Sequence, residues 1–133
     1  MTAPARKDPI RIVVADDHPS VRMGIRRLLE TAPDIVIVGE AGDGVQALQL
    51  AEILLPDILL LDVEMPGLDG LHVAAELRER QTPVQVLALS AYNDQEYTQG
   101  MLENGAAGYL TKDDAPAILL EVLRRVVDRK PGG

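Results

Sequence analysis

Asp16 and Asp17, Asp62, Ser90 and Lys112 are the residues of this chain that could do chemistry together, because each site closes a short apolar run. The runs are Ile10 to Ala15, Ile58 to Leu61, Val84 to Leu89 and Gly108 to Thr111. Runs of this kind read as strands, and in open α/β sheets ligands bind beyond the carboxyl ends of the strands. Carboxylates, a hydroxyl and an ammonium gathered there can hold a divalent cation and a phosphoryl group. Asp62 is the candidate nucleophile, since a carboxylate can attack phosphorus and hold an acyl phosphate. Two anions repel, so the attack needs a cation that bridges carboxylate and phosphoryl oxygen. Mg²⁺ (or Mn²⁺) suits that role, because it takes oxygen ligands and keeps several waters. Asp17 and Asp62 would bind it directly, Asp16 through water, and the backbone carbonyl of Glu64 would be the third protein ligand. Lys112 would pair with Asp62 and then with a phosphoryl oxygen, and Ser90 would donate a hydrogen bond to another.

Alone, each residue has an ordinary reading. An Asp at a strand end is commonly a turn former or a cap, and Asp16-Asp17 could cap a helix starting near Ser20. Lys112 could be a surface lysine and Ser90 a loop serine. Their co-occurrence favours a site: four runs end in residue types that one mechanism requires, while the second strand ends in Glu40-Ala41, away from it.

The elements that must position these residues follow from periodicity. Residues 10–15, 34–40, 57–61, 84–89 and 107–110 read as strands, the first and third apolar on both faces as in a buried parallel sheet. Between them lie helical stripes: Val21, Ile25, Leu28 and Leu29; Ala47, Leu48, Ala51 and Leu54-Leu55; Leu71, Val73-Ala74 and Leu77, to about Arg80; and a weaker, more polar helix from Asp94 to Glu103. The last helix opens at Asp113-Asp114-Ala115-Pro116 and carries Ile118-Leu119, Val122-Leu123 and Val126. Asp43 is a plausible cap for the second helix, Pro56 closes it, and Met65 to Gly70 is a turn-rich loop. Five βα units in strict alternation imply a parallel sheet with helices on both faces. Right-handed crossovers around one switch point give an α/β three-layer sandwich, flavodoxin-like (βα)5, with strand order 2-1-3-4-5.

Bulk properties narrow the function. The chain has 133 residues, enough for one domain with a sizeable core, and hydrophobic residues make up 47%. Aromatic residues are 2%, without Phe or Trp, so that core is aliphatic. A formal net charge of −8 argues against nucleic-acid binding by this segment itself, which needs a basic face. No cysteine is present, which excludes a disulfide framework and thiolate metal sites. No apolar run approaches the ~20 residues of a membrane span, and nothing resembles a signal peptide, so a cytoplasmic location is expected.

On Val14-Ala15-Asp16-Asp17-His18-Pro19, Leu60 to Gly70 and Gly105 to Asp113, the sequence resembles the response-regulator receiver domain, more narrowly receivers of the NarL/FixJ transcription-factor class. The likeness covers about residues 10–128, with 1–9 a loose lead-in and 129–133 a linker or tail. It implies that Asp62 accepts phosphate from a sensor histidine kinase, with Mg²⁺ bound by Asp16, Asp17 and Asp62. It also implies that Ser90 and Tyr109 shift together on phosphorylation, altering the surface formed by the fourth helix, the fifth strand and the last helix. Glu64 and Tyr92 are candidates for tuning the lifetime of the phosphorylated state, and His18 is read as lining or capping its loop. Members of the class usually carry a helix-turn-helix output domain, so this segment reads as the N-terminal part of a DNA-binding regulator that dimerises on activation. A stand-alone receiver acting by protein contacts is the alternative. A Mg²⁺-dependent phosphohydrolase and a flavodoxin-like cofactor binder are the rivals outside the family. A pseudo-receiver is disfavoured by the acidic pair and Lys112.

Overall fold

The computed structural model describes residues 8–91 and 95–128. Five strands alternate with five helices: β1 Ile10–Ala15, α1 Pro19–Glu30, β2 Ile35–Ala41, α2 Gly44–Leu54, β3 Ile58–Asp62, α3 Gly70–Glu79, β4 Gln85–Ser90, α4 Gln95–Glu103, β5 Gly108–Thr111 and α5 Ala115–Asp128. All pairings are parallel, in the order β2-β1-β3-β4-β5 expected for a flavodoxin-like sheet. Period-two alternation explains why both faces need helices. Ile58 and Leu60 of β3 join Ile12, Leu87, Leu119 and Leu123 under α1 and α5, whereas Leu59 and Leu61 join Ala47, Val73, Leu77 and Met101 under α2, α3 and α4. Burying each such aliphatic side chain stabilises the fold by about 1.5–3 kcal/mol before chain entropy is counted. Among the described residues no helix is long and apolar enough to cross a membrane.

Strand ends differ from the apolar runs in a way that matters. β3 continues to Asp62, opposite Leu89, and β4 to Ser90, opposite Thr111. Hydropathy marks where apolar burial stops; the hydrogen-bonded ladder runs one residue further. The two polar residues therefore sit on backbone held by the sheet rather than on loops. Asp43 caps α2, accepting from Gln46 N–H at 2.8 Å, and Asp69 caps α3, accepting from His72 N–H at 3.0 Å. The capping role considered for Asp16-Asp17 does not hold: the N-cap of α1 is His18, without a side-chain cap bond, and Pro19 fills the first turn. The acidic pair is thereby left to the site.

Two glycines bring the loops to the sheet edge. A β-carbon on Gly70 would stand 2.7 Å from Val63 Cα, and one on Gly44 would stand 1.7 Å from the Leu68 carbonyl oxygen. The 63–70 loop can fold back over the end of β3, with Gly70 N–H bonded to the Val63 carbonyl at 3.2 Å, only because both positions lack a side chain.

Candidate functional site

At the carboxyl edge of the sheet, β1, β3 and β5 deliver three charged groups to one point. Lys112, just past β5, places Nζ 2.8 Å from Asp16 Oδ2 and 3.2 Å from Asp62 Oδ2. The lysine is anchored through its own backbone, whose N–H donates to the Ser90 carbonyl at 2.7 Å. Asp16 is fully buried; its N–H donates to the Ala41 carbonyl at 3.0 Å, and its Oδ1 accepts from His18 N–H at 2.8 Å. Asp62 is 1% exposed, and its Oδ1 accepts from Glu64 N–H at 3.0 Å. Asp17 completes the group, with Oδ1 lying 3.0 Å from His18 Nδ1.

Electrostatics follow from that crowding. Burial is the largest influence on Asp62 and pushes its carboxyl up to about 6; the Glu64 N–H opposes this, the Asp16 charge adds to it, and Lys112 opposes it again. Burial alone would lower the Lys112 ammonium, but its close contact with the Asp16 carboxylate and the charges of Asp62 and Asp16 outweigh it, and the net shift is upward. The lysine is therefore firmly protonated. Two carboxylates contact this one ammonium and Asp17 lies close beside them, an excess of negative charge that a divalent cation would neutralise. One ligand atom from each of Asp16, Asp17, His18 and Asp62 lies within 4.8 Å of all the others. Asp16 Oδ2 and Asp17 Oδ1 are buried yet accept no aligned hydrogen bond; their close neighbours are the ammonium and the imidazole. Buried anionic oxygens lacking proper donors are the donor set that a hard, oxygen-seeking cation requires, so these residues fit Mg²⁺.

Of the residues expected at the site, Asp16, Asp17, Asp62 and Lys112 are brought together directly. Ser90 is fully buried at the end of β4 and is tied to Lys112 by backbone. Tyr109 is half-buried in β5, opposite Ala88, and packs on the α2–α3–α4 side of the core. The Glu64 side chain is exposed beside Asp62, while Tyr92 lies outside the described residues. The end of β2 brings no side chain to the carboxylate–lysine group, but it braces the loop beside it. Arg22 Nη1 donates to the Asp16 carbonyl oxygen, and its Nε lies 3.6 Å from Glu40 Oε1. Arg26 in turn donates to Glu40 Oε2 through Nε at 2.9 Å and Nη2 at 2.6 Å. This ladder steadies the loop that carries the acidic pair. Its sequence signal is the i, i+4 spacing of Arg22 and Arg26, one helical face aimed at a strand-end carboxylate.

Comparison with known proteins gives a consistent result. The family profile of the response regulator receiver domain matches residues 12–124. The nitrate/nitrite response regulator protein NarL of Escherichia coli K12 is 42% identical over 121 residues, covering 91% of this chain and 56% of that protein. The chain thus spans about half the length of the curated relatives it matches. Among solved structures, the signal receiver domain of the response regulator NarL from Mycobacterium tuberculosis superposes with a TM-score of 0.83 at 41% identity, covering 95% of this chain and 99% of that one. The isolated receiver domain of RcsB from Salmonella enterica serovar Typhimurium, solved with the phosphomimetic BeF3⁻, gives a TM-score of 0.83 at 26% identity, covering 92% and 91%.

Proposed function

This chain belongs to the response regulator receiver domain family, and on that premise we propose that Asp62 accepts a phosphoryl group from the phosphohistidine of a sensor kinase. One Asp62 carboxylate oxygen forms a bond to phosphorus, the P–N bond breaks, and the histidine nitrogen leaves with the bonding pair. The product is an acyl phosphate at the tip of β3. The observation that carries this reading is the Lys112 ammonium, lodged between the buried carboxylates of Asp16 and Asp62. An acid held there is shielded from bulk water and faces a fixed positive charge. Asp17, Asp62 and the Glu64 carbonyl would hold Mg²⁺, with Asp16 acting through water. When bound, the ion offsets the repulsion between attacking carboxylate and phosphoryl group.

The residues of the chain then divide the remaining work. Lys112 exchanges its contact with Asp62 Oδ2 for a phosphoryl oxygen, keeping Asp16 as its second partner. The Ser90 hydroxyl is drawn towards another phosphoryl oxygen, which carries part of the roughly −1.5 to −2 charge of the group. Tyr109, on the neighbouring strand, follows into the space released, and the α4-β5-α5 surface changes as a consequence. Such a switch turns over no metabolite; phosphorylation and slow hydrolysis of Asp62 are its only chemistry, with Glu64 and Tyr92 tuning the latter.

We assign residues 10–128 to the receiver and 129–133 to a linker. Because its relatives are transcriptional regulators about twice as long, the natural output is a DNA-binding domain joined to that linker, engaged when activated receivers pair. The test is incubation with Mg²⁺ and acetyl phosphate followed by intact mass. One phosphoryl adduct is expected, lost in Asp62→Asn and reduced when Mg²⁺ is chelated. A stable adduct on the Asp62→Asn protein would place the acceptor elsewhere.

A further inference from the structure

Asp17 differs from its companions in what holds it. The Asp16 carboxylate is fixed by the His18 N–H at 2.8 Å and by Lys112 Nζ at 2.8 Å, and that of Asp62 by the Glu64 N–H at 3.0 Å and by Lys112. Asp17 Oδ1 is buried yet accepts no aligned hydrogen bond, so this carboxylate inherits its place from the backbone. β1 ends at Ala15, and the peptide joining Asp16 to Asp17 lies just beyond it. Because a peptide unit is planar, holding the Asp16 carbonyl also fixes the direction in which the chain leaves for Asp17. Arg22 supplies that hold from α1, donating through Nη1 to the Asp16 carbonyl oxygen. The guanidinium is itself anchored: its Nε lies 3.6 Å from Glu40 Oε1, while Arg26, one turn along the helix, occupies Glu40 Oε2. Arg22 is only 23% exposed and Glu40 25%, so little water competes for these contacts.

We propose that Arg22 is a positioning residue: through the Asp16 carbonyl it sets Asp17 for Mg²⁺, and so governs phosphorylation of Asp62 through metal affinity rather than through the transfer step. The inference rests on the Mg²⁺ reading given above and adds to it a residue on α1, outside the acidic pocket. Its sign separates it from a charge effect. A guanidinium near a cation site repels the incoming ion, so removing it would by electrostatics alone tighten Mg²⁺ binding. Lost positioning acts the other way, because the outer supports of a metal ligand are typically worth about 10- to 100-fold in affinity.

The experiment is calorimetric titration of the untagged protein with Mg²⁺, for wild type, Arg22→Met and Arg22→Lys. The initial rate of phosphorylation by acetyl phosphate is followed alongside, by intact mass, against Mg²⁺ concentration. Met keeps the aliphatic stem and loses the charge and the donors; Lys keeps the charge and a donor but cannot span Asp16 and Glu40 together. Arg22→Met is expected to bind Mg²⁺ about tenfold more weakly, with the half-saturating Mg²⁺ concentration for phosphorylation raised by the same factor. The rate at saturating Mg²⁺ should stay within about twofold of wild type. Arg22→Lys should weaken Mg²⁺ by about threefold, and it carries the test alone if Arg22→Met shows no cooperative thermal transition in EDTA. Unchanged or tighter Mg²⁺ binding in the variants, or a fall in the saturating rate at unchanged half-saturation, overturns the inference and leaves the Mg²⁺ pocket standing. Wild type that binds no Mg²⁺ removes both.

Discussion

Replacing Asp62 by Asn should stabilise the metal-free protein, although it destroys the proposed function. The carboxyl is pushed from an ordinary value of 3.8 up to about 6, chiefly by burial. A folded-state value above the unfolded one means that the fold prefers the neutral acid. The favourable contribution is complete below about pH 4 and is lost as pH rises through 6, so at neutral pH the ionised side chain works against folding. At about 1.4 kcal/mol per unit, the shift sets a ceiling near 3 kcal/mol; the cost of burying the Asn amide in its place reduces this to roughly 1–2 kcal/mol. Asn retains the oxygen that accepts the Glu64 N–H, and Lys112 retains Asp16 at 2.8 Å, so little is given up in exchange.

For a domain of this length, that gain corresponds to a rise in Tm of about 4–8 °C. The assay is thermal unfolding of wild type and Asp62→Asn in EDTA between pH 4 and pH 8. The gap should open with rising pH and close towards pH 4. Adding Mg²⁺ should narrow or invert it, because occupancy at a hundred times Kd stabilises the binding-competent protein by about 2.7 kcal/mol. A gap that is absent in EDTA at pH 8, or that stays constant across the range, would refute the argument that burial strains this carboxylate.

Lys112→Ala removes the ammonium that faces both buried carboxylates, and should destabilise the protein at pH 8 by about 3 kcal/mol or more in urea denaturation, with part of the loss recovered as pH falls through 6 and Asp62 protonates. The exposed pair Asp34–Arg124, with Nε to Oδ2 at 2.8 Å and Nη2 to Oδ1 at 2.9 Å, holds Asp34 below its ordinary value through the Arg124 hydrogen bond. Its contribution is present above the ordinary carboxylate pKa and is lost as pH falls through the lowered one. Asp34→Asn should therefore cost no more than about 0.5 kcal/mol at pH 7, and nothing in strong acid or molar salt. Glu64→Ala should change the lifetime of the phosphorylated state measured by intact mass over time, with the initial extent of phosphorylation retained; an unaltered decay rate would remove Glu64 from the hydrolysis step.

How far the site could be read in advance depended on whether a residue's role is set by its own segment. Local signals translated well: Asp43 caps α2, Pro116 lies in the first turn of α5, and the apolar runs became strands within about one residue at each end. The five-unit alternation implied the parallel sheet, and its strand order is the one common to flavodoxin-like doubly wound folds. What stayed hidden required knowing which elements are neighbours. Arg22 and Arg26 look like solvent-facing charges on an amphipathic helix until β2 is laid beside β1, bringing Glu40 within reach. His18 follows the acidic pair in sequence, yet only the extended backbone at the N-cap shows its ring turned back to both carboxylates.

The two aspartates flanking β3 make the point most sharply. Asp57 and Asp62 have the same chemistry and stand at either end of one apolar strand, and each carboxylate accepts a backbone N–H: Arg11 N to Asp57 Oδ2 at 2.9 Å, Glu64 N to Asp62 Oδ1 at 3.0 Å. Neither composition nor local hydrogen bonding separates them. Sheet polarity does. With every strand parallel, the carboxyl ends of β1, β3 and β5 converge, so Asp62 meets Asp16 and Lys112, whereas Asp57, at the opposite edge, is given the task of joining the start of β3 to β1. An acid in this fold acquires its neighbours from the end of the strand it occupies, which explains how five unremarkable residues at four strand tips carried more information than any one of them did alone.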